Sequence, residues 1–201
     1  MGLPMQSLLG PLFLFALSMS ITPGPNNVMV TASAANFGFR RSIPHMLGVT
    51  FGFPAMILAL SLGFAQLFHA YPQIHQAMKF IGAAYLLYLA WRIARAGGEK
   101  AVDGKVRPIS FIEAALFQWI NPKAWIIAIG ALTTYTTVGG SVLGEAALIA
   151  VMFIVTCFPS LALWALFGAG LGHWLENPRA RGAFNWSMAA LLVLSLVPVV
   201  G

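Results

Sequence analysis

Two short stretches hold the residues that could do chemistry: Thr22-Pro23-Gly24-Pro25-Asn26-Asn27, and Gln118 through Lys123 with Asn121-Pro122-Lys123 at its end. Each lies within an apolar run. Proline lacks the main-chain N–H and clashes with the preceding turn, so neither stretch can continue a helix. A helix broken this way leaves free carbonyls on one side of the gap and free N–H groups on the other. The half-helices opening near Pro25 and Pro122 would aim their positive dipole ends at the gap, where a carboxylate is favoured. The opposing carbonyls suit an ammonium. A zwitterion needs both, and Thr22, Asn26, Asn27, Gln118 and Asn121 add neutral hydrogen-bonding side chains. Trp119 and Trp125 flank the second break and could wall an apolar pocket. The substrate-binding set read from the sequence is Thr22, Pro23, Gly24, Pro25, Asn26, Asn27, Gln118, Asn121, Pro122, Lys123 and Trp125. Amino acids fit such a cavity better than sugars or bare ions do.

Other ionisable residues have simpler readings. Lys123 either attracts a carboxylate or caps loose carbonyls of the first half-helix. Glu113 could carry a proton, but Ser110-x-x-Glu113 is a capping box that accounts for it. Glu145 opens a helix, where an acid is favoured, and needs no further role. His45, His69, His75 and His173 form no metal-ligand spacing. The single cysteine, Cys157, excludes an intramolecular disulfide or CxxC pair and is expected only to pack. No span carries a Ser–His, paired-Asp or HExxH arrangement, so the chain reads as no enzyme, with no cofactor.

The elements that position these residues follow from composition. Apolar residues make up 59% of the chain and charged residues 8%, with mean hydropathy +0.83. Soluble domains average about 25% charged, so this is an all-α polytopic membrane protein embedded in a lipid bilayer. Its 201 residues accommodate six spans of roughly 20 residues with short loops. The spans fall at about 11–36, with Pro11 as first helical position; 44–65, opening at Pro44 and interrupted by Pro54; 73–95; 111–136; 142–172, interrupted by Pro159; and 183–200. Gly48-x-x-x-Gly52 and Gly168-x-x-x-Gly172 are small-residue pairs that let helices approach closely.

The punctuation of these spans repeats: broken, kinked, straight, and then the same again. Three spans is an odd number, so the second copy must be inverted in the membrane, a 3+3 inverted repeat (about 5–96 and 108–201) with the two breaks near the midplane. Depth agrees. Asn121 lies eleven residues beyond Ser110, about 16 Å at 1.5 Å per residue, close to half of a core about 30 Å thick. Arg40 and Arg41, the group Arg92, Arg95, Lys100, Lys105 and Arg107, and the pair Arg179 and Arg181 fall in alternate loops. Those loops share one face, which the positive-inside rule makes cytoplasmic, leaving both termini outside. The net charge of +6 is thus a topology signal and implies no nucleic-acid partner.

Thr22-Pro23-Gly24-Pro25-Asn26, with Asn121-Pro122-Lys123-Ala124, resembles the LysE/RhtB family of bacterial amino-acid exporters. Gly38-Phe39-Arg40, Gly48, Gly52 and Gly82-Ala83-Ala84-Tyr85-Leu86 also resemble the family's pattern. The resemblance covers essentially the whole chain. It implies a six-helix inner-membrane exporter of amino acids or close derivatives, coupled to protons by antiport, with the two broken motifs central to transport. A homodimer is compatible with it. Within the family, the first half and Pro108-Ile109-Ser110-Phe111 are similar to the cysteine and O-acetylserine exporters. The uncharged surroundings of the breaks favour a small neutral substrate, of the threonine/homoserine or cysteine/O-acetylserine type. The competing reading is an aquaporin-like passive channel for small polar solutes, against which the two breaks differ in sequence and one carries a lysine.

Overall fold

A computed structural model of the protein describes residues 5–64, 72–96, 107–137 and 140–196, and all regular structure among them is helical. The expected first span comprises α1 (Met5–Ile21) and α2 (Pro25–Phe37), separated at Thr22–Gly24. Gly38, at φ 86°, then turns the chain directly into α3 (Phe39–Ala59), a conformation that glycine adopts without a Cβ penalty. A π-turn at Leu60–Phe64 extends α3. Next comes α4 (Pro72–Ala94). The expected fourth span corresponds to α5 (Phe111–Phe117), a 3-10 turn at Gln118–Ile120, and α6 (Pro122–Tyr135). The last long helices are α7 (Val142–Gly170) and α8 (Pro178–Leu194).

Several boundaries differ from the sequence reading. Pro11 lies inside α1 rather than opening it, and Pro44 lies five residues into α3. Both are exposed near a helix start, where the one forfeited main-chain bond is cheap. Pro54 and Pro159 likewise interrupt nothing: α3 and α7 run through them. The helix expected over 183–200 starts at Pro178 instead, because Asn177 caps it by accepting from the Arg179 N–H at 2.9 Å, with proline preformed at the first helical position. Pro198, Lys100, Lys105 and His69 lie outside the described residues.

Among the described residues, two helices are long and apolar enough to cross a membrane, Phe39–Gly63 at mean hydropathy 1.8 and Val142–Gly170 at 2.4. The breaks divide the expected first and fourth spans into helices too short to pass the same test. The surface is strongly apolar: Phe80 and Ile126 are each 71% exposed, and Leu14, Leu116, Leu163 and Trp186 also face outward. Soluble monomers rarely present so much contiguous apolar surface.

α7 is the hub, packing against α1, α2 and α3, while α5 lies on α3 and α8 on α4. Glycines set the closest approaches. A Cβ at Gly48 would collide with the Phe111 carbonyl, and one at Gly168 with the Thr31 carbonyl. Gly172 instead sits in the turn after α7 and meets only the Ala169 carbonyl of that same turn. At the centre Phe53 of α3 and Phe153 of α7 meet edge to face, ring centroids 4.9 Å apart, the arrangement that ring quadrupoles favour. Glu145 does more than decorate its helix start. Its carboxylate accepts from the Thr137 N–H at 2.9 Å and the Thr137 hydroxyl at 2.6 Å, tying the loop after α6 to α7.

Candidate functional site

The two breaks, about a hundred residues apart in sequence, meet. Asn26 of α2 and Gln118 exchange carboxamide hydrogen bonds, Asn26 Nδ2 to Gln118 Oε1 at 2.9 Å and Gln118 Nε2 to Asn26 Oδ1 at 3.2 Å. Gln118 also donates to the Ala114 carbonyl at 2.8 Å. Lys123 Nζ donates to the carbonyl oxygens of Thr22 at 2.6 Å and Pro23 at 3.3 Å. Of the two sequence readings for Lys123, this geometry realises the capping one.

The carbonyls at the end of α1 are thus spoken for by protein donors. Asn27 Nδ2 lies 3.1, 3.4 and 3.2 Å from the carbonyls of Ser20, Ile21 and Thr22. Trp164 of α7 donates its indole N–H to Ile21 at 3.1 Å. Where the sequence reading put a substrate ammonium, the structure has the ammonium of Lys123.

The two half-helix starts are unequal. Asn121 caps α6: its side-chain oxygen accepts from the Lys123 N–H at 3.2 Å. α2 begins at Pro25 after Gly24, which has no side chain to cap with, and no side-chain cap is present. Its first N–H groups therefore keep their capacity to bind an anion, and Lys123 adds a positive charge beside Gly24.

A cavity of about 50 Å³ opens at this junction, several times the roughly 10–15 Å³ that one water requires. Ser20, Asn26, Asn27, Gln118, Asn121 and Lys123 supply its polar wall. Val49, Phe53, Ile127, Phe153 and Leu161 supply most of the apolar one. Gly24, Asn26, Asn27, Gln118, Asn121 and Lys123 of the sequence-read set line it; Thr22, Pro23, Pro25, Pro122 and Trp125 do not. Thr22 and Pro23 contribute carbonyls to Lys123. Trp125 donates its indole N–H to the Trp119 carbonyl at 2.7 Å. It follows Lys123 by two positions, about 200° around the helix, and so cannot share the lysine's face. The expected tryptophan walls are replaced by Phe53 and Phe153.

Cys157, expected only to pack, also lines the cavity, as do Ser20 and residues of α3 and α7 that sequence reasoning missed. The signal for them was weak. Each is one apolar or small residue in an apolar helix, and only the packing of α3 and α7 selects the face. No cluster of three metal-ligating side chains occurs among the described residues.

A second polar group forms at the basic end of the molecule. Glu113 completes the capping box, accepting from the Ser110 N–H at 2.8 Å while Ser110 Oγ accepts from the Glu113 N–H at 3.3 Å. Arg107 grips the same carboxylate with two bonds of 2.6 and 2.9 Å, and Arg92 stands 3.7 Å away. The paired carboxylate raises the pKa of the Arg107 guanidinium above its ordinary range. Nearby, Asn36 of α2 and Asn185 of α8 exchange amide bonds at 2.8 and 3.2 Å, and Asn185 also donates to the Ala96 carbonyl.

Comparison with known proteins places this geometry among relatives. Residues 17–197 match the family model described as LysE type translocator. A Salmonella paratyphi A protein named cysteine/O-acetylserine efflux protein is 34% identical over 197 residues, 94% of each chain. A Klebsiella pneumoniae protein of the same name is 31% identical over 202 residues, 96% of this chain and 97% of that one. An Escherichia coli protein, also so named, is 30% identical over 164 residues, 81% and 83% of the two chains. No solved structure matches the chain.

Proposed function

The chain belongs to the LysE type translocator family, and from that premise we propose that it exports small neutral amino acids or close derivatives, of the cysteine and O-acetylserine type, by alternating access driven by proton antiport. The observation that carries this reading is the cavity between the two helix breaks. It joins the uncapped start of α2 and the Lys123 ammonium, both suited to a carboxylate, to a polar carboxamide wall and a phenylalanine-lined apolar one. The substrate carboxylate would lie against the α2 N–H groups and Lys123. Its ammonium would take over the Thr22 and Pro23 carbonyls from Lys123, freeing the lysine for the carboxylate. The short apolar wall limits the side chain to a few heavy atoms, and the cavity offers no acid to a lysine or arginine substrate.

Six spans in a 3+3 inverted repeat are the membrane arrangement that goes with this reading. In support, α3 packs on α7 and α4 on α8, each helix on its counterpart in the other half, an arrangement compatible with a two-fold relation. Asn185 joins the end of α2 to the end of α4, drawing together the chain ends that carry Arg40, Arg41, Arg92 and Arg95. That clustering supports a cytoplasmic basic face, with both termini outside, in a bacterial inner membrane. A passive channel is not favoured. The relatives are named efflux proteins, and a lysine bonded across the gap would obstruct a pore.

The test is transport by purified protein in proteoliposomes loaded with O-acetylserine or reduced cysteine. Saturable flux with counterflow, accelerated by a proton gradient, is expected. Unsaturable flux without counterflow would establish the channel instead.

A further inference from the structure

One titratable side chain outside the cavity is fully enclosed and bonded to nothing. His45 is 0% exposed, and neither Nδ1 nor Nε2 has a hydrogen-bond partner among the described residues. Buried polar groups are nearly always paired, and an unpaired one calls for an explanation.

Its surroundings suggest one. His45 lies six residues into α3, about 9 Å along the helix from its start at 1.5 Å per residue. One turn earlier, Ser42 shares a 2.9 Å hydrogen bond with Ser33 of α2. One turn later, Gly48 lies against the Phe111 carbonyl of α5. Met46 and Val49 share a buried cluster with Ala34 of α2, Ala114 of α5 and Leu161 of α7. The imidazole therefore sits where the two broken spans converge on α3, between the cavity and the basic end.

The charges around it are few. α5 brings Glu113, whose carboxylate acts electrostatically on the ring and which Arg107 and Arg92 partly neutralise. α2 has no ionisable residue, α7 brings only Cys157 and the distant Glu145, and α3 itself adds Arg40 and Arg41 at its start. Glu113 is already committed to Ser110 and Arg107. The imidazole, by contrast, is committed to no partner among the described residues.

We propose that His45 is the group that carries the coupling proton, an inference that rests on the antiporter reading above. Enclosed as it is here, neither ring nitrogen can exchange with water. A proton reaches it only when α2 and α5 part from α3, which is the motion that opening the broken spans entails. In the outward-open state the ring nitrogen accepts one proton from water, becoming imidazolium with Glu113 as counter-charge. In the cytoplasm-open state it returns that proton to water as substrate enters the cavity. Each cycle thus moves one proton inward for one zwitterion outward, and no bond to the substrate is made.

The experiment compares wild type with His45→Asn and His45→Gln in proteoliposomes, using labelled O-acetylserine. Both variants should keep counterflow, which needs no proton. Gradient-driven accumulation should fall about tenfold or more, the scale of a site-to-site coupling, and the pH dependence of flux should flatten. A packing residue would lose both activities or neither. Variants that still accumulate substrate against the gradient overturn the assignment of His45 alone. A wild type with no counterflow overturns the exporter reading, and the inference with it. If neither variant inserts, 15N-histidine NMR of wild type in nanodiscs decides: one imidazole must change protonation when O-acetylserine is added, and four unchanging ones would refute the proposal.

Discussion

The ammonium nitrogen of Lys123 lies 2.6 Å from the carbonyl oxygen of Thr22, closing one helix break with the side chain that opens the other. This contact makes the lysine both a structural donor and an occupant of its own cavity. In the proposed transport cycle, the ammonium of a zwitterionic substrate displaces it.

Lys123→Met should therefore remove two functions at once. The carbonyls of Thr22 and Pro23 would lose a charged donor, a destabilisation of about 1–3 kcal/mol, readable as a lower melting temperature in detergent. Initial export rates should fall by about tenfold or more, since a carboxylate loses its charged partner. Full rates in vesicles would show that the lysine serves the fold only.

The Asn26–Gln118 pair should behave as a unit. Each alanine variant leaves the other carboxamide partly unpaired, so each should slow transport, while the double variant should be little worse than the poorer single one. Coupling within such a network is expected at about 0.5–3 kcal/mol. A double-mutant cycle on transport rates measures it, and strict additivity would separate the two side chains.

Asn121→Ala removes the cap of α6. A loss of about 0.5–2 kcal/mol in stability is expected, with strongly reduced transport because the second break would lose its set geometry. Asn121→Asp, which retains the capping oxygen, should recover most of the stability but not the rate. Thermal unfolding alongside vesicle uptake checks both parts.

Two glycines provide a packing contrast. Gly48→Leu would drive a side chain into the Phe111 carbonyl and should prevent stable insertion, whereas Gly130→Ala meets nothing within 4 Å and should be neutral or slightly stabilising. Membrane yield and monodispersity after solubilisation distinguish them.

Glu113→Gln should keep much of the capping box and lose the arginine pairs together with the negative charge facing His45. The Arg107 side chain is 58% exposed, and exposed pairs contribute about 0–1 kcal/mol. Accumulation of substrate against its gradient should persist, with the pH profile shifted. Loss of coupling in this variant with coupling intact in His45→Asn would move the proton from the histidine to the glutamate.

Much of this protein could be read from the chain because the relevant physics is local. Proline removes an N–H wherever it stands, so Pro23-Gly24-Pro25 and Asn121-Pro122 announce breaks in any apolar helix. Ser110-x-x-Glu113 announces a helix start, and the structure holds its reciprocal bonds. The same logic fails for prolines near helix starts: Pro11 and Pro44 lie inside α1 and α3 rather than opening them, because one forfeited bond at an exposed end is too small a cost to delay a helix. What only the tertiary structure decided depends on contacts between residues far apart in the chain. Lys123 finds Thr22 across 101 residues, Phe53 meets Phe153 to make the wall assigned to tryptophans, and His45 is enclosed by two broken spans. No local pattern encodes such meetings, because they depend on which face each apolar helix buries, and nearly uniform hydrophobicity leaves that choice to packing.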